Sequence, residues 1–274
     1  MDSQIARPPW PGIGKTIEKK VRKCLYEYNM LDGVKKISVA LSGGKDSLTL
    51  LFLLKAISGR GFPELDISAI HIGGDFSCGA GVNINYLQKV CDSLEVPLVI
   101  KTATQNLETL ECYSCSRQRR KFLFDAAKEL GSTTIAFGHH RDDSVQTLLM
   151  NLLHKAEFAG NLPKIHMVKY GITILRPLIF VAEQEIKTFA KTFNFLRIMC
   201  QCPVGQNSLR KKAELLLQEI EEVFPDARHN LAKPEHGQVN QVKQFLGIHL
   251  FANSAINVSV DDRALFCRKF WLLE

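Results

Sequence analysis

The sequence predicts an α/β fold, with a doubly wound, mostly parallel sheet and helices on both faces. Apolar runs rich in β-branched residues, such as residues 37–41 and 65–72, alternate along the chain with longer segments of helical periodicity. This alternation is typical of parallel sheets, because two parallel strands need a long crossover connection, which is usually a helix. Ligands in such sheets bind beyond the carboxyl ends of the strands, so the residues after each strand are the first candidates for function.

Length, charge and cysteine content restrict the class of protein. The 274 residues fit one large domain, or one domain with small appendages. No apolar run is long enough to span a bilayer and residues 1–11 lack a secretory hydrophobic region, so we expect a cytoplasmic protein without membrane contact. A net charge of +7 favours an acidic partner such as nucleic acid. Eight cysteines without a signal peptide argue against a disulfide framework and favour metal or redox chemistry.

The predicted elements divide the chain into three regions. Residues 1–32 form a basic helical segment, and residues 33–195 form the α/β unit. Residues 196–274 form a helical extension that contains cysteines, and after Pro225 this extension carries no motif. The predicted strands are residues 37–41, 65–72, 96–102, 133–138 and 172–179.

The first predicted strand ends in a loop with the composition of a phosphate-binding site. The loop consists of Ser42, Gly43, Gly44, Lys45, Asp46 and Ser47. Its glycines allow the backbone to approach a ligand closely, and the N-terminus of the helix that follows favours an anion. The serine hydroxyls add donors and the lysine adds a cation. The spacing differs from G-x-x-x-x-G-K-[ST], so the loop is not a Walker loop.

A pair of cysteines opens the helix after the third strand. Cys112 and Cys115 can bind one metal ion, ligate one cluster or form a dithiol redox pair. Cys24, Cys91 and Cys267 lie in apolar surroundings and are most simply core residues. A run of cations beside the pair would bind phosphates or stabilise thiolates, although a surface charge patch is the simpler interpretation. These cations are Arg117, Arg119, Arg120 and Lys121.

Histidines and carboxylates follow the fourth strand. His139, His140, Asp142 and Asp143 come directly after Gly138 and directly before a helical pattern. One carboxylate can cap that helix, and the other, with the histidines, would face the same cleft as the phosphate loop. Carboxylates at this position suit a Mg²⁺ ion that accompanies bound phosphates.

A second cysteine pair precedes a second basic segment. Cys200 and Cys202 come shortly before Asn207 and Ser208, either of which can cap an amphipathic helix. Cations in this helix and in the N-terminal segment are candidates for contacts with RNA, and a solvated helix face is the alternative. They are Lys19, Lys20, Lys23, Arg210, Lys211 and Lys212.

These motifs resemble those of two related families. Residues 42–47 resemble the SGGxDS signature of the PP-loop (N-type) ATP pyrophosphatases, which implies an adenine nucleotide alpha hydrolase-like fold and a loop that binds the pyrophosphate of ATP. The order of the loop, the C-x-x-C pair, the G-H-H-x-D-D run, an Arg-Pro-Leu segment and the late cysteine pair resembles the tRNA 2-thiocytidine synthetase (TtcA) family. This second resemblance covers residues 21–225.

The second resemblance implies a tRNA-cytidine 2-sulfurtransferase. Members use ATP and Mg²⁺ to adenylate the C2 carbonyl of an anticodon-loop cytidine, and then replace its oxygen with sulfur carried on a [4Fe-4S] cluster. A cysteine desulfurase or free sulfide would supply the sulfur, tRNA would be the partner, and a homodimer is an option. Two departures from the family pattern are Gln146 in place of glutamate and the Cys200-Gln-Cys202 spacing in place of C-x-x-C.

The same resemblance implies roles for individual residues. Cys112 and Cys115 match the paired cluster ligands, and Cys202, with Cys200 as the alternative, matches the third. ATP would be bound by residues 42–47 together with Gly138 and His139. Catalytic roles would fall to Lys45, Asp46, Asp142, Asp143, Arg120 and Lys121. The contacts with tRNA would come from Lys19, Lys20, Lys23, Arg117, Arg119, Arg210, Lys211 and Lys212.

Two other functions remain open at the level of sequence. One is a different PP-loop enzyme, such as a lysidine-type synthetase, a thiouridine synthetase or the synthetase domain of an amidotransferase, which would not need all three cysteines. The other is a zinc-stabilised RNA-binding protein without catalysis, although such a protein has little need of the phosphate loop. Bound metal and ATP-dependent release of pyrophosphate distinguish the three.

Overall fold

The structure is a computed structural model and describes residues 6–74, 82–103, 112–195 and 208–232; within the helix that begins at Cys112, the described side chains start at Ser114. The strands are β1 (Lys36–Ala40), β2 (Asp66–Gly73), β3 (Leu98–Thr102), β4 (Thr134–Ala136), β5 (Lys164–Met167) and β6 (Ile172–Leu175). The helices are α1 (Gly12–Glu27), α2 (Lys45–Ile57), α3 (Ile84–Ser93), α4 (Cys112–Glu129), α5 (Arg141–Lys155), α6 (Glu183–Thr192), α7 (Leu209–Val223) and α8 (Ala227–Ala232). Within these described ranges, no helix is both long enough and apolar enough to cross a membrane.

The described strands form one sheet in the order β3-β2-β1-β4-β6-β5. Every neighbouring pair is parallel except β5 and β6, which form an antiparallel hairpin at one edge. The direction of winding reverses between β1 and β4, since β2 and β3 lie to one side and β6 and β5 to the other. Such a switch point is where doubly wound sheets bind ligands. The predicted fold class is therefore confirmed.

Apolar side chains cover both faces of the sheet. One core cluster joins β1 and β2 to α1, α2, α3 and α6, and it includes Ile37 and Phe189. A second cluster joins β2, β4, β5 and β6 to α4, and it includes Ile70 and Phe124. Because α2 is buried over almost its whole length, its sequence is apolar on all sides rather than on one stripe.

The basic N-terminal segment packs directly on the α/β unit. Ile17, Val21 and Leu25 of α1 are buried in the same core as α2 and α6, at the spacing that one face of a helix requires. Ahead of the helix, the ring of Trp10 meets Phe189 edge-on, with centroids 5.5 Å apart. The division at residue 32 therefore separates two parts of one core.

Two cysteines that the sequence places in the core are buried there. Cys24 and Cys91 have no exposed surface. Burial, with a smaller contribution from the nearby carboxylates of Glu27 and Asp92, raises the pKa of each thiol to about 12. Both thiols stay protonated at neutral pH, and a protonated thiol is a poor nucleophile and a poor metal ligand.

The C-terminal helices α7 and α8 pack on α5. Val145 and Leu149 of α5 form a small core with Ala213 and Leu217 of α7. Ser208 is the N-cap of α7, which confirms the predicted helix start. The helix α8 was not expected, because its six residues carry no motif and no clear periodicity.

The edge hairpin differs from the single strand that the sequence predicts over residues 172–179. Strand β6 ends at Leu175 because Pro177 has no N–H group with which to continue a ladder, and a turn follows. Strand β5 was missed because it is a short edge strand in which only Ile165 is buried. Gly171 makes the connection between the two strands, with φ at +58°.

Candidate active site

The candidate site lies at the switch point, beyond the carboxyl ends of β1 and β4. Val39 of β1 pairs with Ala136 of β4, so the phosphate loop and the loop after β4 leave the sheet side by side. Across this gap, Nε2 of His140 lies 3.7 Å from Oδ1 of Asp46. The structure therefore brings together two motifs that are almost a hundred residues apart in sequence.

Hydroxyl groups and a left-handed glycine shape the phosphate loop (residues 42–47). Gly43 has a φ of +84°, a conformation that residues with a side chain rarely adopt. Oγ of Ser42 accepts the N–H of Gly44 at 3.3 Å and lies 3.0 Å from Oγ of Ser47. Gly44 is the N-cap of α2 and has no side chain with which to cap it, so the N–H groups of the first turn remain suited to an anionic ligand.

Lys45 lies between two carboxylates. Its Nζ is 3.1 Å from Asp46 and 3.1 Å from Oε1 of Glu183, the first residue of α6. Burial disfavours the ammonium, but these two carboxylates outweigh it and hold the pKa of Lys45 above its usual value. Glu183 is also 2.9 Å from Nζ of Lys187. The loop therefore presents a charged lysine that already has a fixed direction.

Gly138 allows β4 to approach the phosphate loop. A Cβ at this position would lie 2.9 Å from the carbonyl carbon of Asp46 and 3.0 Å from the nitrogen of Ser47. Those atoms belong to the backbone of α2 and cannot move aside as a flexible side chain can. Any larger residue would therefore push the end of β4 away from the start of α2.

His139 is held as a neutral imidazole. Its ring stacks on Phe137 with the planes 18° apart, and its Nδ1 accepts the Nε–H of Arg176 at 3.3 Å. Burial and then the charge of Arg176 lower the pKa of His139. Arg176 is itself only 2% exposed and donates to the carbonyl of Leu162 at 2.6 Å, so the arginine of the Arg-Pro-Leu segment is an internal residue. The remaining proton of His139 is on Nε2, where it can act as a donor.

Asp142 is buried and connects three helices. Its Oδ2 accepts the N–H of Glu183, at the start of α6, at 2.8 Å. Its Oδ1 lies 3.5 Å from Nη1 of Arg228 in α8. Both oxygens thus contact other parts of the protein.

Asp143 caps its own helix, as expected for one of the two carboxylates. Its Oδ2 accepts the N–H of His140 at 3.0 Å, and a ring nitrogen of His140 accepts the N–H of Asp143 in return. Its Oδ1 accepts Nη1–H of Arg210, in the first turn of α7, at 3.0 Å. Burial opposes ionisation of Asp143, but His140, His139 and Arg210 outweigh it and lower the pKa of the carboxyl.

Asp46 is the carboxylate that retains an oxygen for a ligand. Its Oδ1 is buried and accepts no hydrogen bond in the structure, although Nζ of Lys45 lies 3.1 Å away. Within the described parts of the chain, no group of three metal-binding side chains exists that would hold an ion alone. Mg²⁺ at nucleotide sites usually takes one or two carboxylates and completes its shell with phosphate oxygens and waters. Asp46 fits that pattern.

The first cysteine pair lies on α4, as predicted. Cys112 is the first residue of the helix and Cys115 follows three residues later, which places the two on one helical face. The side chain of Cys115 is partly exposed. The side chain of Cys112, and both Cys200 and Cys202, lie outside the described residues. The structure therefore describes one side chain of the predicted ligand set.

His71 is a buried polar residue at the base of the phosphate loop. Its ring is fully buried in β2, and Nδ1 donates to the carbonyl of Leu41, the last residue before the loop, at 2.8 Å. Burial lowers the pKa of His71, the hydrogen bond to Leu41 opposes this, and the charge of Arg119 lowers the pKa further. Arg119 is thus near enough for its charge to affect His71 at the base of the loop. Arg120 lies one residue on and donates to Oγ of Ser116 at 3.4 Å.

The other predicted tRNA contacts differ in their surroundings. Lys20 is 2.6 Å from Oε2 of Glu185, and this ion pair joins α1 to α6. Lys23 lies 5.5 Å from the ring centroid of Phe180, near the chain that enters α6. The predicted cations with exposed side chains are Lys19, Lys23, Arg117, Lys121, Lys211 and Lys212.

Four residues of the site neighbourhood had no predicted role. Glu183 and Arg228 belong to helices of ordinary composition, so nothing local distinguishes them. Arg176 was visible only as part of the Arg-Pro-Leu segment. His71 did leave a signal, since it is a polar residue in the middle of the apolar run Ile70 to Ile72.

Comparison with known proteins agrees with this geometry. A model of the PP-loop domain matches residues 14–196, so the fold and the site define a PP-loop protein. The tRNA-cytidine(32) 2-sulfurtransferase of Bordetella avium (strain 197N) is 31% identical over 251 residues, which are 86% of this chain and 79% of that protein. The protein of the same name from Anaeromyxobacter dehalogenans (strain 2CP-C) is 33% identical over 231 residues, 80% of this chain and 78% of that protein. The chain belongs to the PP-loop family that these 2-sulfurtransferases form.

A solved structure supports the fold. The U34-tRNA thiolase NcsA from Methanococcus maripaludis, solved with its [4Fe-4S] cluster, superposes with a TM-score of 0.67. The alignment covers 96% of this chain and 90% of that one, at 22% sequence identity. At this identity the similarity concerns the path of the backbone.

Proposed function

We propose that this protein is an ATP-dependent tRNA-cytidine 2-sulfurtransferase, which replaces the C2 oxygen of an anticodon-loop cytidine with sulfur. The observation that carries the proposal is the uncapped phosphate loop at the switch point, in a chain that belongs to the 2-sulfurtransferase family. The relatives are named for cytidine 32, and we extend that position to this chain.

The reaction needs activation because the C2 oxygen is a poor leaving group. In the first step this oxygen attacks the α-phosphorus of ATP and the bond to pyrophosphate breaks. In the second step sulfide sulfur forms a bond to C2 and the C2–O bond breaks, so the oxygen departs with AMP. No electrons are transferred overall, which means that the protein has to bind, orient and neutralise charge rather than supply a redox partner.

The loop residues have distinct tasks in the first step. The N–H groups at the start of α2, with Ser42 and Ser47, bind the phosphates. Lys45 neutralises the charge that develops on the leaving pyrophosphate, and its raised pKa keeps it cationic. Asp46 is the ligand that we assign to Mg²⁺, which supplies further charge neutralisation when bound. His139 offers an N–H donor without adding charge.

The cysteine pair on α4 suits a cluster better than a redox dithiol in a non-redox reaction. Cys112 and Cys115 share a helical face, and Cys202, with Cys200 as the alternative, completes a set of three ligands in our proposal. A [4Fe-4S] cluster on three cysteines supplies, when bound, one open iron position for sulfur.

The RNA-binding surface that we propose combines the exposed cations of α1, α4 and α7. Single-stranded loops are the natural target, because the base has to leave the stack before C2 can be reached. Lys20 and Arg210 pair with protein carboxylates, so we expect a smaller contribution to RNA affinity from them than from Lys19 or Lys212.

The remaining partners follow from the same proposal. A cysteine desulfurase or free sulfide provides the sulfur, and the protein acts in the cytoplasm, where tRNA is modified. A homodimer is compatible with the proposal but is not needed for it. Mixing purified protein with either sulfur source separates the two, because a desulfurase also requires cysteine.

The decisive experiment is reconstitution with defined components. Anaerobically purified protein, ATP, Mg²⁺, sulfide and unmodified tRNA should yield 2-thiocytidine together with AMP, as detected by mass spectrometry of the nucleosides. If AMP is released but lysine or ammonia, rather than sulfide, is incorporated into the product, the result would support a different PP-loop enzyme. Absence of any ATP-dependent pyrophosphate release in a folded, tRNA-binding preparation would refute the proposal.

A second experiment tests the ligand set. Replacement of Cys112, Cys115 or Cys202 by alanine should abolish thiolation and reduce the iron and sulfide content, whereas Cys200→Ala should retain both. The matched controls are Cys24→Ala and Cys91→Ala, which remove buried thiols that stay protonated. Equal loss in all variants would mean that the effect is one of folding.

A further inference from the structure

Arg228 is an almost fully buried cation in contact with three carboxylates. Its side chain is 11% exposed. Nη1 lies 2.9 Å from Glu214, and both Nε and Nη2 lie about 3 Å from the carboxylate of Glu221. The third carboxylate is Asp142, at 3.5 Å. We call these four residues the Arg228 cluster, and it joins α8 and α7 to the first turn of α5.

Asp142 also contacts the start of α6. Its second oxygen accepts the N–H of Glu183 at 2.8 Å. The N-terminus of a helix has N–H groups without partners inside the helix, so a buried carboxylate at this point fixes where the helix begins. The position of the Glu183 backbone therefore depends on a carboxylate whose nearest cation is Arg228, at 3.5 Å, with Nε of Arg141 at 3.8 Å.

The side chain of Glu183 contacts the phosphate loop. Its Oε1 lies 3.1 Å from Nζ of Lys45, and no other described glutamate forms an ion pair with that lysine. Four helices are thus connected by three polar contacts, from Arg228 in α8 through Asp142 in α5 and Glu183 in α6 to Lys45 in α2. The phosphate loop and the C-terminal helices lie at the two ends of this chain of contacts.

We propose that Arg228 and Glu183 are positioning residues for the reaction, which set the direction of Lys45 toward the phosphates of ATP. The inference rests on the proposed function, because it assigns Lys45 to the leaving pyrophosphate. It adds that the C-terminal helices are part of the ATP site, although Arg228 itself touches no substrate.

The physical reason is the cost of a buried charge that loses a partner. Without Arg228, the side chain of Asp142, which is 8% exposed, loses its closest cation, at 3.5 Å, and retains Nε of Arg141 at 3.8 Å on its other oxygen. A buried carboxylate that loses a partner moves toward its remaining cation or toward water. Either movement weakens its hydrogen bond to the N–H of Glu183, so the side chain of Lys45 is no longer held in one orientation.

The test uses full-length protein and two measurements. Arg228→Gln should raise the Kd for ATP, measured by calorimetry without tRNA, by about fivefold to tenfold, and lower kcat for AMP formation by a similar factor. Glu183→Gln keeps the backbone N–H that Asp142 accepts, and it should reproduce the loss in kcat. Because the two residues act in series, the double variant should be no worse than the poorer single variant.

The matched control is Glu221→Gln. It removes a contact to Arg228 on α7 but leaves Asp142 paired, so it should reduce the melting temperature while Kd and kcat change by less than about twofold. If Arg228→Gln does not fold, the Glu183→Gln variant still decides, since that side chain is 31% exposed and its replacement keeps the backbone N–H that Asp142 accepts.

Four results would overturn the inference. Three of them are unchanged Kd and kcat in Glu183→Gln, additive losses in the double variant, and equal kinetic losses in Glu221→Gln. Tighter ATP binding in Glu183→Gln would also contradict it, because Glu183 would then compete with phosphate for Lys45. A wild-type protein that binds ATP but does not thiolate tRNA would refute the proposed function and leave the ATP-binding arm of this test intact.

Discussion

The phosphate loop and the Arg228 cluster lie at opposite ends of one chain of contacts, and they are built differently. In the loop, Ser42, Gly44 and Ser47 contact one another within a span of six residues. In the cluster, Arg228 contacts Asp142 across more than eighty residues. The loop depends on backbone conformation and small residues, whereas the cluster depends on the mutual neutralisation of buried and partly buried charges.

This difference indicates that the loop backbone and the distant helices contribute different parts of the site. A loop of small residues binds an anion through backbone N–H groups, which need no side chain and hold little charge of their own. Its lysine, in contrast, lies between its neighbour Asp46 and a carboxylate from another helix, Glu183, each 3.1 Å away. Local sequence therefore specifies that phosphate is bound, and tertiary contacts specify how the charged group meets it.

The largest expected effect is on the loop side. Lys45→Ala should reduce tRNA-dependent AMP formation by about 100-fold, because a positioned cation at a developing charge contributes roughly 3 kcal/mol. The rate is measured by single-turnover release of pyrophosphate. The control is Lys187→Ala, which removes the other lysine on Glu183 and should retain most activity. Equal loss in both would show that Glu183, rather than Lys45, carries the effect.

The next effect tests the packing of the two loops. Gly138→Ala should destabilise the protein by about 2 kcal/mol and weaken ATP binding, because its Cβ would lie 2.9 Å from the backbone of Asp46. Urea unfolding and calorimetry measure the two changes. Gly12→Ala is the control, since nothing lies within 4 Å of a Cβ at that position. A normal free energy of unfolding for Gly138→Ala would contradict the close approach.

Acid should destabilise the C-terminal helices at a higher pH than the sheet. Hydrogen bonds to Arg228 outweigh burial and lower the pKa of Glu214 from 4.5, and His140, His139 and Arg210 lower that of Asp143 from 3.8. Groups with a lowered folded-state pKa stabilise the fold above these values, and that stability is lost as the pH falls through the lower folded values. We therefore expect α7 and α8 to lose protection in acid before the sheet does.

Hydrogen exchange between pH 6 and pH 3, corrected for the intrinsic exchange rate, measures whether the C-terminal helices or the sheet lose protection first, at about 1 kcal/mol resolution. The Arg228→Gln variant is the control, because its cluster is already broken and its C-terminal helices should keep only the pH dependence that comes from the Asp143–Arg210 pair. Simultaneous loss of protection in the helices and in β1 would mean that the cluster is not a separate unit.

The smallest effect concerns a departure from the family pattern. Nε2 of Gln146 donates to Oε2 of Glu214 at 2.7 Å, so Gln146→Glu would replace a hydrogen bond with a contact between two carboxylates. We expect a loss of about 1 kcal/mol at pH 7 that shrinks toward pH 4 as the pair takes up a proton. Chemical unfolding at the two pH values measures it, with Gln146→Ala as the control that lacks the repulsion.

Most of the fold was predictable because its signals are local. The alternation of apolar strands and helices gave the sheet class, and the structure confirms it. The prediction failed at β5, where a four-residue edge strand with one buried side chain has almost no periodicity. It also failed at α8, because a helix of six residues without a buried side chain shows no clear periodicity either. The division into residues 1–32, 33–195 and 196–274 stays a prediction, and α1 shares the main core.

The site was predictable in part. Family membership was correctly expected from SGGKDS and GHHRDD, because glycines and charged residues at strand ends are unusual enough to recognise. The roles of individual residues remain predictions, and the third cysteine ligand lies outside the described residues. The contacts of Asp142 and Asp143 with Arg228 and Arg210 were not expected, since nothing in a sequence states which buried charges will neutralise each other.

The sequence by itself determined the part of the site that favours an anion: a strand, two glycines and a helix start, whose backbone geometry is a local property. Tertiary structure alone decided the surroundings of that site. It placed Glu183 on Lys45, Gly138 against the first turn of α2 and Arg228 on Asp142. Such contacts depend on how helices far apart in the chain pack together, and the free energy of a charge depends on what surrounds it.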